Sequence, residues 1–545
     1  MWLINCGAGE DVRSLMAAGA ATRVVVVDAR RPIHHNFKHD GDAGIVLLHS
    51  RDDGTSLDDV PEPDGASGGE SASDESDGED RDRAGSRASD AENSPPRQRR
   101  RLDRADRARA VRAARKAYYA KGGGWGVPAS LTMFELAHAL RADDGHTLWL
   151  ACVGAADALA CDRVPRAAYD GFAARLETLA AVLPGADDEE ATSIPVDAGD
   201  GGGPGATAVM RARLYGKVAP FDDVAIPLLR QWTAADALAH APRVAAALET
   251  WTDGGRRRLD ELLLRAGVGV ADARAPASAS AGVRAAARLA DGLAAHGPAA
   301  RIPPLGVRSF RLAWGGDRLA AADAAASAAA LLEAGAAPGA GPGPGRDSFW
   351  RAWNALAAGQ RPREGGELAA GLDLARALAR AVLADGGGIL SRRKLRESAA
   401  GRFRWADLSA GALAHRDLLA RPLALARLAA FLRDAAAAPR GRASARGTRA
   451  VVLVGPASPD GTCPVVAAAA PPGARGARAD ARSGHAFGAL FRRAAAAVGA
   501  HQGADGFDAA AVTLPVDAVE RFMRELTVAC AGAELTAAAA ELAAA

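Results

Sequence analysis

The chain lacks the patterns that mark several large classes of protein. Its five cysteines, Cys6, Cys152, Cys161, Cys463 and Cys530, lie far apart and form no C-x-x-C pair. That spacing signals neither a zinc cage nor a disulfide framework and fits a reducing compartment. No uncharged apolar stretch reaches the roughly 20 residues that span a bilayer. Glu10 and Asp11 stand where a secretory signal would carry its apolar run, so no membrane partner is expected. A G-x-x-x-x-G-K-[ST] phosphate loop is absent, and with it the usual sign of nucleotide hydrolysis. Neither sign of charge dominates: the formal net charge is +2, so bulk attraction to nucleic acid carries no argument and local asymmetry must. No internal repeat is visible.

What is present starts in α/β fashion. With 545 residues the chain has room for about two to four domains. Trp2 to Gly7, Thr22 to Asp28 and Gly44 to Leu48 read as strands, with a helix from Glu10 to Ala18. The run Val24-Val25-Val26-Val27 does not alternate, which suits a parallel strand buried on both faces. From Arg51 to Pro96 the composition collapses into Asp, Glu, Ser, Gly and Pro, too little apolar surface to offset chain entropy, and disorder is predicted. Within it Ser71, Ser73 and Ser76 sit among acids and are candidate phosphorylation sites that would deepen the charge.

The sign then flips. Arg97, Arg99, Arg100, Arg101, Arg104, Arg107, Arg109, Arg112, Arg115 and Lys116 crowd one segment that reads as helix up to Tyr119. This segment reads three ways: a solvated face, a nuclear-localisation patch centred on Arg99, Arg100 and Arg101, or a phosphate-binding strip. Gly122 to Gly126 reads as a flexible turn. Ala129 to Leu140 is a helix with Ser130 as N-cap, and Thr147 to Asp157 a second, buried one. A Gly, Pro and acid-rich linker covers Pro184 to Ala206. Leu228 to Gly267 is strongly helical, with Trp232 and Trp251 as core anchors and Arg256-Arg257-Arg258 heading an amphipathic helix. Helices are expected to continue to Ala334 and, after a Gly/Pro stretch from Gly335 to Gly345, to resume at Phe349. The tail returns to α/β, with strands at Val451 to Val454, Val465 to Ala470 and Ala511 to Leu514 and a helix from Asp517 to Val528.

Several blocks, in order, carry a resemblance. Leu3-Ile4-Asn5-Cys6-Gly7, then Val27-Asp28-x-x-Arg31-Pro32, an acidic insertion and a basic helix resemble the opening of the cell division control protein 45 family. Met133-Phe134-Glu135-Leu136-Ala137 with Leu148-Trp149-x-x-x-Val153-Gly154-x-x-Asp157 resembles its central block. Phe487-Gly488-x-x-Phe491-x-x-Ala494-Ala495 with Phe507-Asp508-x-x-x-Val512-x-Leu514 resembles its last block, and Gln231-Trp232 and Arg256 to Leu264 its helical insertion.

That family is similar to the DHH phosphoesterases, which include the RecJ-type exonucleases. The implied fold is α/β plus α-helical: a DHH-phosphoesterase-like parallel α/β domain, a helical insertion and a C-terminal α/β domain of DHHA1 type. The expected organisation is an N-terminal α/β part at 1–50 and an acidic loop at 51–96. The basic helix and the rest of the DHH-like domain follow at 97–183, then a linker at 184–206. A helical interaction insertion at 207–334, a Gly/Pro linker at 335–347 and helices with the last domain at 348–545 complete it. In the family another strand and helix precede the Leu3 to Gly7 strand. A parallel sheet without an inner strand leaves backbone groups unpaired, so coding sequence upstream of Met1 is expected.

The resemblance also implies a chemistry by what is changed. Two-metal phosphodiester cleavage needs several carboxylates or imidazoles converging on a cation pair. Where the phosphoesterases have Asp-His-His, this chain reads Asp28-Ala29-Arg30; Asp157 stands at a further ligand position, and the two are vestigial ligand positions with no metal or cofactor expected. The family therefore implies a non-catalytic replication factor in the nucleus. There it joins the MCM hexamer and the GINS tetramer with replicative polymerases and origin-loading factors, and binds single-stranded DNA through a groove lined by Arg30 and Arg31. The alternative is an active DHH-type metal-dependent single-strand exonuclease. His34, His35 and His485 stand apart from other ligands and read as structural or surface residues.

Overall fold

The computed structural model describes residues 1–15, 22–42, 44–50, 53, 56–62, 96–120, 123–182, 216–314, 317–333, 345–357, 365–399, 401–411, 413–437, 449–469, 487–500 and 510–544. Packing divides the chain into two units, Met1–Thr132 and Met133–Ala545. Residues 133–182, expected to belong to the first α/β domain, thus fall in the second unit.

In the first unit, β1 (Trp2–Ile4), β2 (Val24–Val27), the short β3 (Arg30–Arg31) and β4 (Ile45–Leu47) precede a long helix, α1 (Pro96–Ala120), and β5 (Gly124–Trp125). Strands β1, β2 and β4 form a parallel sheet in the order β1-β2-β4. The valine run is its middle strand, and Val24 and Val26 enter a core with Ile33, Phe37, Ile45, Val60 and Tyr118. Among its described side chains, helix α1 is fixed through its last two turns. The Tyr118 hydroxyl donates to the Ile33 carbonyl at 3.1 Å, and Arg115 donates to the Glu62 carbonyl at 2.6 and 3.0 Å. Upstream, Arg107, Arg109 and Arg112 are exposed.

The glycine cluster is not the flexible turn expected. Gly124–Trp125 pairs antiparallel with Arg30–Arg31, and the Gly126 amide donates to the Ala29 carbonyl at 2.7 Å. A Cβ on Gly126 would overlap the Asp53 carboxylate and the Arg31 guanidinium, so a larger residue there would push that pair aside. Helix α2 (Ala129–Ala139) starts at Ala129 as read, but Ser130 does not cap it. Ser130 sits inside its first turn with Oγ buried and unbonded, while the Pro128 carbonyl accepts from Leu131 and Thr132. Proline, pre-set in φ, displaces serine as the start signal.

The second unit takes in most of α2 and continues with α3 (Gly145–Ala160), opened by a capping box in which Asp144 and Thr147 exchange side-chain and backbone bonds. Next come α4 (Arg166–Val182), β6 (Lys217–Val224), α5 (Ala234–His240), α6 (Pro242–Leu248), α7 (Asp253–Arg265) and α8 (Ser280–His296). They are followed by β7 (Gly306–Trp314), β8 (Asp317–Ala320), α9 (Ala321–Glu333), α10 (Gly345–Leu356) and α11 (Glu367–Ser391). Strands β6, β7 and β8 form an antiparallel sheet inside the stretch expected to be helical up to Ala334. Arg308 and Arg311 broke the apolar run of β7 and hid it. In the fold Arg308 is paired with Glu177 and Asp222, and Arg311 lies 5.4 Å from the Phe221 ring centre.

Strands β9 (Arg396–Glu397) and β10 (Phe403–Asp407), helix α12 (Pro422–Ala437), β11 (Ala450–Val454), β12 (Thr462–Ala468), α13 (Phe487–Ala497), β13 (Ala511–Pro515) and α14 (Val519–Ala544) complete the unit. Its sheet runs β13-β12-β11-β10-β9, with β10 and β11 parallel and the other neighbours antiparallel. Val451 and Leu453 face a core with Leu425, Leu428 and Phe431, while Val452 and Val454 face another with Phe491 and Phe522. Both faces being covered, β11 carries apolar residues at every position.

A buried carboxylate ties the middle of this unit together. Asp323, in the first turn of α9 and 1% exposed, accepts from the Leu228 amide at 3.0 Å and from Gln231 Nε2 at 2.9 Å. Asp323→Ala strands both donors and is expected to cost about 2 kcal/mol, with Asp323→Asn costing less because one acceptor survives. Urea unfolding of the two variants checks this, and equal stability of wild type and Asp323→Ala would contradict it.

Candidate functional site

The sheet of the first unit ends at its carboxyl edge on Asp28. A side chain following a central parallel strand is delivered to the crevice where α/β folds hold ligands. Asp28 is buried, and both of its oxygens are occupied. Oδ2 accepts from the Ala8 amide at 3.1 Å and Oδ1 from the Arg30 amide at 3.0 Å. Arg30 Nε lies 3.6 Å from Oδ2, an ion pair too long to be a hydrogen bond. The Cys6 thiol close by is pushed up by burial and by the Asp28 charge, with Arg30 opposing.

Arg30 and Arg31 diverge. The Arg30 side chain keeps about a quarter of its surface in solvent, 26%, whereas Arg31 keeps 11%. Arg31 Nη1 donates to the Asp28 and Arg30 carbonyls at 3.0 and 2.7 Å, and Nη2 donates to Asp53. His49 Nε2 stands 3.8 Å from the same Asp53 oxygen. Arg31 is therefore turned inward as the clamp that holds the strand end. Asp53 was not singled out by sequence reasoning; it lies in an acid-rich stretch, and nothing in its spacing marks the pairing. His35, read as structural, bonds Tyr119 through Nδ1 at 2.8 Å, and His34 lies against it with ring centres 4.2 Å apart.

Asp157 lies in the other unit, near the end of α3. Its Oδ2 accepts from Arg163, and Oδ1 lies 3.5 Å from the Cys161 sulfur. Burial, then the Asp157 charge, pushes the Cys161 thiol up to about 12, so it stays protonated. Glu333 at the end of α9 pairs with Arg427 of α12 at 3.0 Å. Glu333 acts on the same thiol, as do Arg163 and Arg427. The pair Asp157 and Arg163 is close in sequence, and the C-cap position of Cys161 between them was a usable signal. Glu333 and Arg427 had none.

Among the described residues no group of three or more His, Cys, Asp or Glu side chains could hold a metal ion. Of the basic patch, Arg99, Arg100 and Arg101 fall in the first turns of α1. Ser71, Ser73, Ser76 and His485 lie outside the described residues. No helix among the described residues is long and apolar enough to cross a membrane.

The Asp157 pair carries a stability consequence. With side-chain exposures of 29% and 15%, the pair is only partly solvated. Arg163→Ala leaves Asp157 without its counter-charge and is expected to lower stability by about 2 kcal/mol, discounted for the carboxylate's access to water. Arg163→Ala with Asp157→Asn recovers a large part of that loss. A double-mutant cycle in urea reads both, and strict additivity would contradict the pairing.

No curated protein sequence matches the chain. The crystal structure of CDC45 from Entamoeba histolytica matches with a TM-score of 0.61 at 16% identity, over 97% of this chain and 84% of that one. At that identity the likeness speaks for the fold. The family model CDC45 matches residues 1–529. The chain belongs to the CDC45 family.

Proposed function

We propose that this protein is a non-hydrolytic subunit of the replicative helicase assembly, built on a DHH-like scaffold whose ligand positions have been taken over by arginine. Family and fold support a role in DNA replication. The observation that carries the finer reading is the state of the two carboxylates: Asp28 is bonded by two amides beside Arg30, and Asp157 is paired with Arg163. A divalent cation brought within about 4 Å of a guanidinium meets roughly 8 kcal/mol of repulsion at the effective dielectric of protein sites. Neither position suits a hydrolytic metal.

In this reading the MCM hexamer and the GINS tetramer are the protein partners in the nucleus, with replicative polymerases and origin-loading factors met at origins and forks. Arg30, the more exposed of the two arginines, contacts single-stranded DNA, and Arg31 braces the strand end that presents it. Arg99, Arg100 and Arg101 serve nuclear import. Phosphorylation at Ser71, Ser73 or Ser76 adds charge to the acidic segment and tunes its attraction to basic partners.

Two measurements test this. Labelled single-stranded DNA incubated with the purified chain and Mn²⁺ is expected to stay intact, in wild type and Asp157→Ala alike; metal-stimulated release lost in Asp157→Ala would establish the exonuclease instead. The chain is expected to capture the MCM ring and GINS from reconstituted mixtures, and failure to retain either would remove the helicase assignment. For DNA contact, Arg30→Glu is expected to weaken single-strand affinity by roughly threefold to tenfold and to flatten its salt dependence. An unchanged salt slope would remove Arg30 from the interface.

A further inference from the structure

The hairpin of β11 and β12 turns at Ser458-Pro459-Asp460-Gly461. The Ser458 amide donates to the Thr462 carbonyl at 2.7 Å and the Gly461 amide to the Ser458 carbonyl at 3.0 Å, with Gly461 in the left-handed region, φ 78°. Pro459, Asp460 and Gly461 are exposed, and a Cβ added to Gly461 would meet nothing within 4 Å, so the tip stands clear of the sheet. A serine at a turn usually bonds its own backbone. Here Asp460 has taken that part, accepting from the Thr462 amide and hydroxyl at 3.0 and 2.8 Å. Among the described residues the Ser458 hydroxyl is left without a hydrogen-bond partner, and it is not enclosed.

Beside it lies an uncommitted cation. Arg416, in the connection from β10 to α12, is exposed and donates through Nη2 to the Ala457 carbonyl, and it makes no ion pair among the described residues. That carbonyl belongs to the same peptide unit as the Ser458 amide, so the guanidinium sits within a side chain's length of the serine oxygen. The connection is itself held. Asp385 accepts from the Ala414 and His415 amides at 2.8 and 3.0 Å, and Leu413 and Leu419 are buried. A neutral carbonyl is a weaker partner for a guanidinium than an anion is. The turn's own carboxylate, Asp460, is bonded to Thr462 and does not pair with Arg416.

We propose that Ser458 is the acceptor of a proline-directed serine kinase and that Arg416 captures the phosphate, fastening the β10–α12 connection to the β11–β12 turn. In the transfer the Ser458 oxygen attacks the γ-phosphorus of ATP. The new O–P bond forms as the bond to the β–γ bridging oxygen breaks, ADP leaves, and the hydroxyl proton passes to the kinase's base. Pro459, directly after the acceptor, selects that kinase class: it has no amide to satisfy and restrains Ser458 to extended backbone. The phosphate brings about −1.5 to −2 charges and three acceptor oxygens, enough for a bidentate bond to one guanidinium. Opening the turn for the kinase breaks the bonds made by the Ser458, Gly461 and Val516 amides, while the exposed tip gives up no buried side chain.

The test incubates the folded full chain with Mg²⁺, ATP and a proline-directed kinase whose activity is verified on a peptide substrate in the same tube. Tandem mass spectrometry is expected to find one phosphate on the tryptic peptide 450–475, where Ser458 and Thr462 are the only hydroxyls, and none there in Ser458→Ala. The other Ser-Pro dipeptide, Ser94-Pro95, falls in a separate peptide. In the phosphorylated chain, amide hydrogen exchange across residues 413–421 is expected to slow about twofold to fivefold, and Arg416→Gln to erase the slowing while leaving phosphate incorporation intact. An unmodified Ser458 would overturn the proposal, as would modification only after heat unfolding. Slowing that is absent, or that persists in Arg416→Gln, would overturn the capture by Arg416. Should Arg416→Gln not fold, added KCl is expected to shrink the slowing in the unsubstituted chain, and indifference to salt would overturn it.

Discussion

A buried carboxylate needs a compensating positive partner, and the identity of that partner decides what its surroundings can do. In this chain the partner is repeatedly a guanidinium or a row of backbone amides. Asp53 is held by Arg31, Glu333 by Arg427 and Asp223 by Arg230, and the half-buried Asp157 by Arg163. Asp28 takes the amides of Ala8 and Arg30, with the Arg30 side chain behind. Each arrangement satisfies the anion from within the protein and fixes two segments against each other. A site organised this way is a brace, and its charge is already spent.

The consequences run outward from the braces. Arg31 holds the end of the valine strand, Gly126 passes close enough to complete the clamp because it has no side chain, and Trp125 pairs with Arg30 across a short ladder. The basic helix α1 grows from the same region, seated through Tyr118 on the core beneath. In the second unit, Glu333 with Arg427 ties α9 to α12, and Asp323 secures the turn at Leu228, whose left-handed backbone, φ 63°, needs a firm hold.

Sequence patterns reached the elements whose signal is local. The valine run, the arginine-rich helix and the buried β11 announce themselves through composition or unbroken apolar character, and all three form where expected. The antiparallel sheet of β6, β7 and β8 was missed because Arg308 and Arg311 interrupt its pattern, and what neutralises Arg308 sits on other elements. The clamp was illegible for a related reason: Asp53 is 22 residues from Arg31, and one acid in an acid-rich segment carries no mark of its partner. Asp28, Asp157, Arg30 and Arg31 could be picked out by type and position, yet not that Arg31 turns onto Asp53 while Arg30 lies beside Asp28. Side-chain direction at a two-residue strand is set by its ladder, which sequence does not display.

The account stands or falls on whether these carboxylates are spent. Titrating Mn²⁺ into the purified full chain and following the free-ion electron paramagnetic resonance signal measures that directly. The account predicts no saturable binding in wild type and none gained or lost in Asp28→Asn or Asp157→Asn. Saturable, stoichiometric Mn²⁺ uptake that disappears in either variant would contradict it.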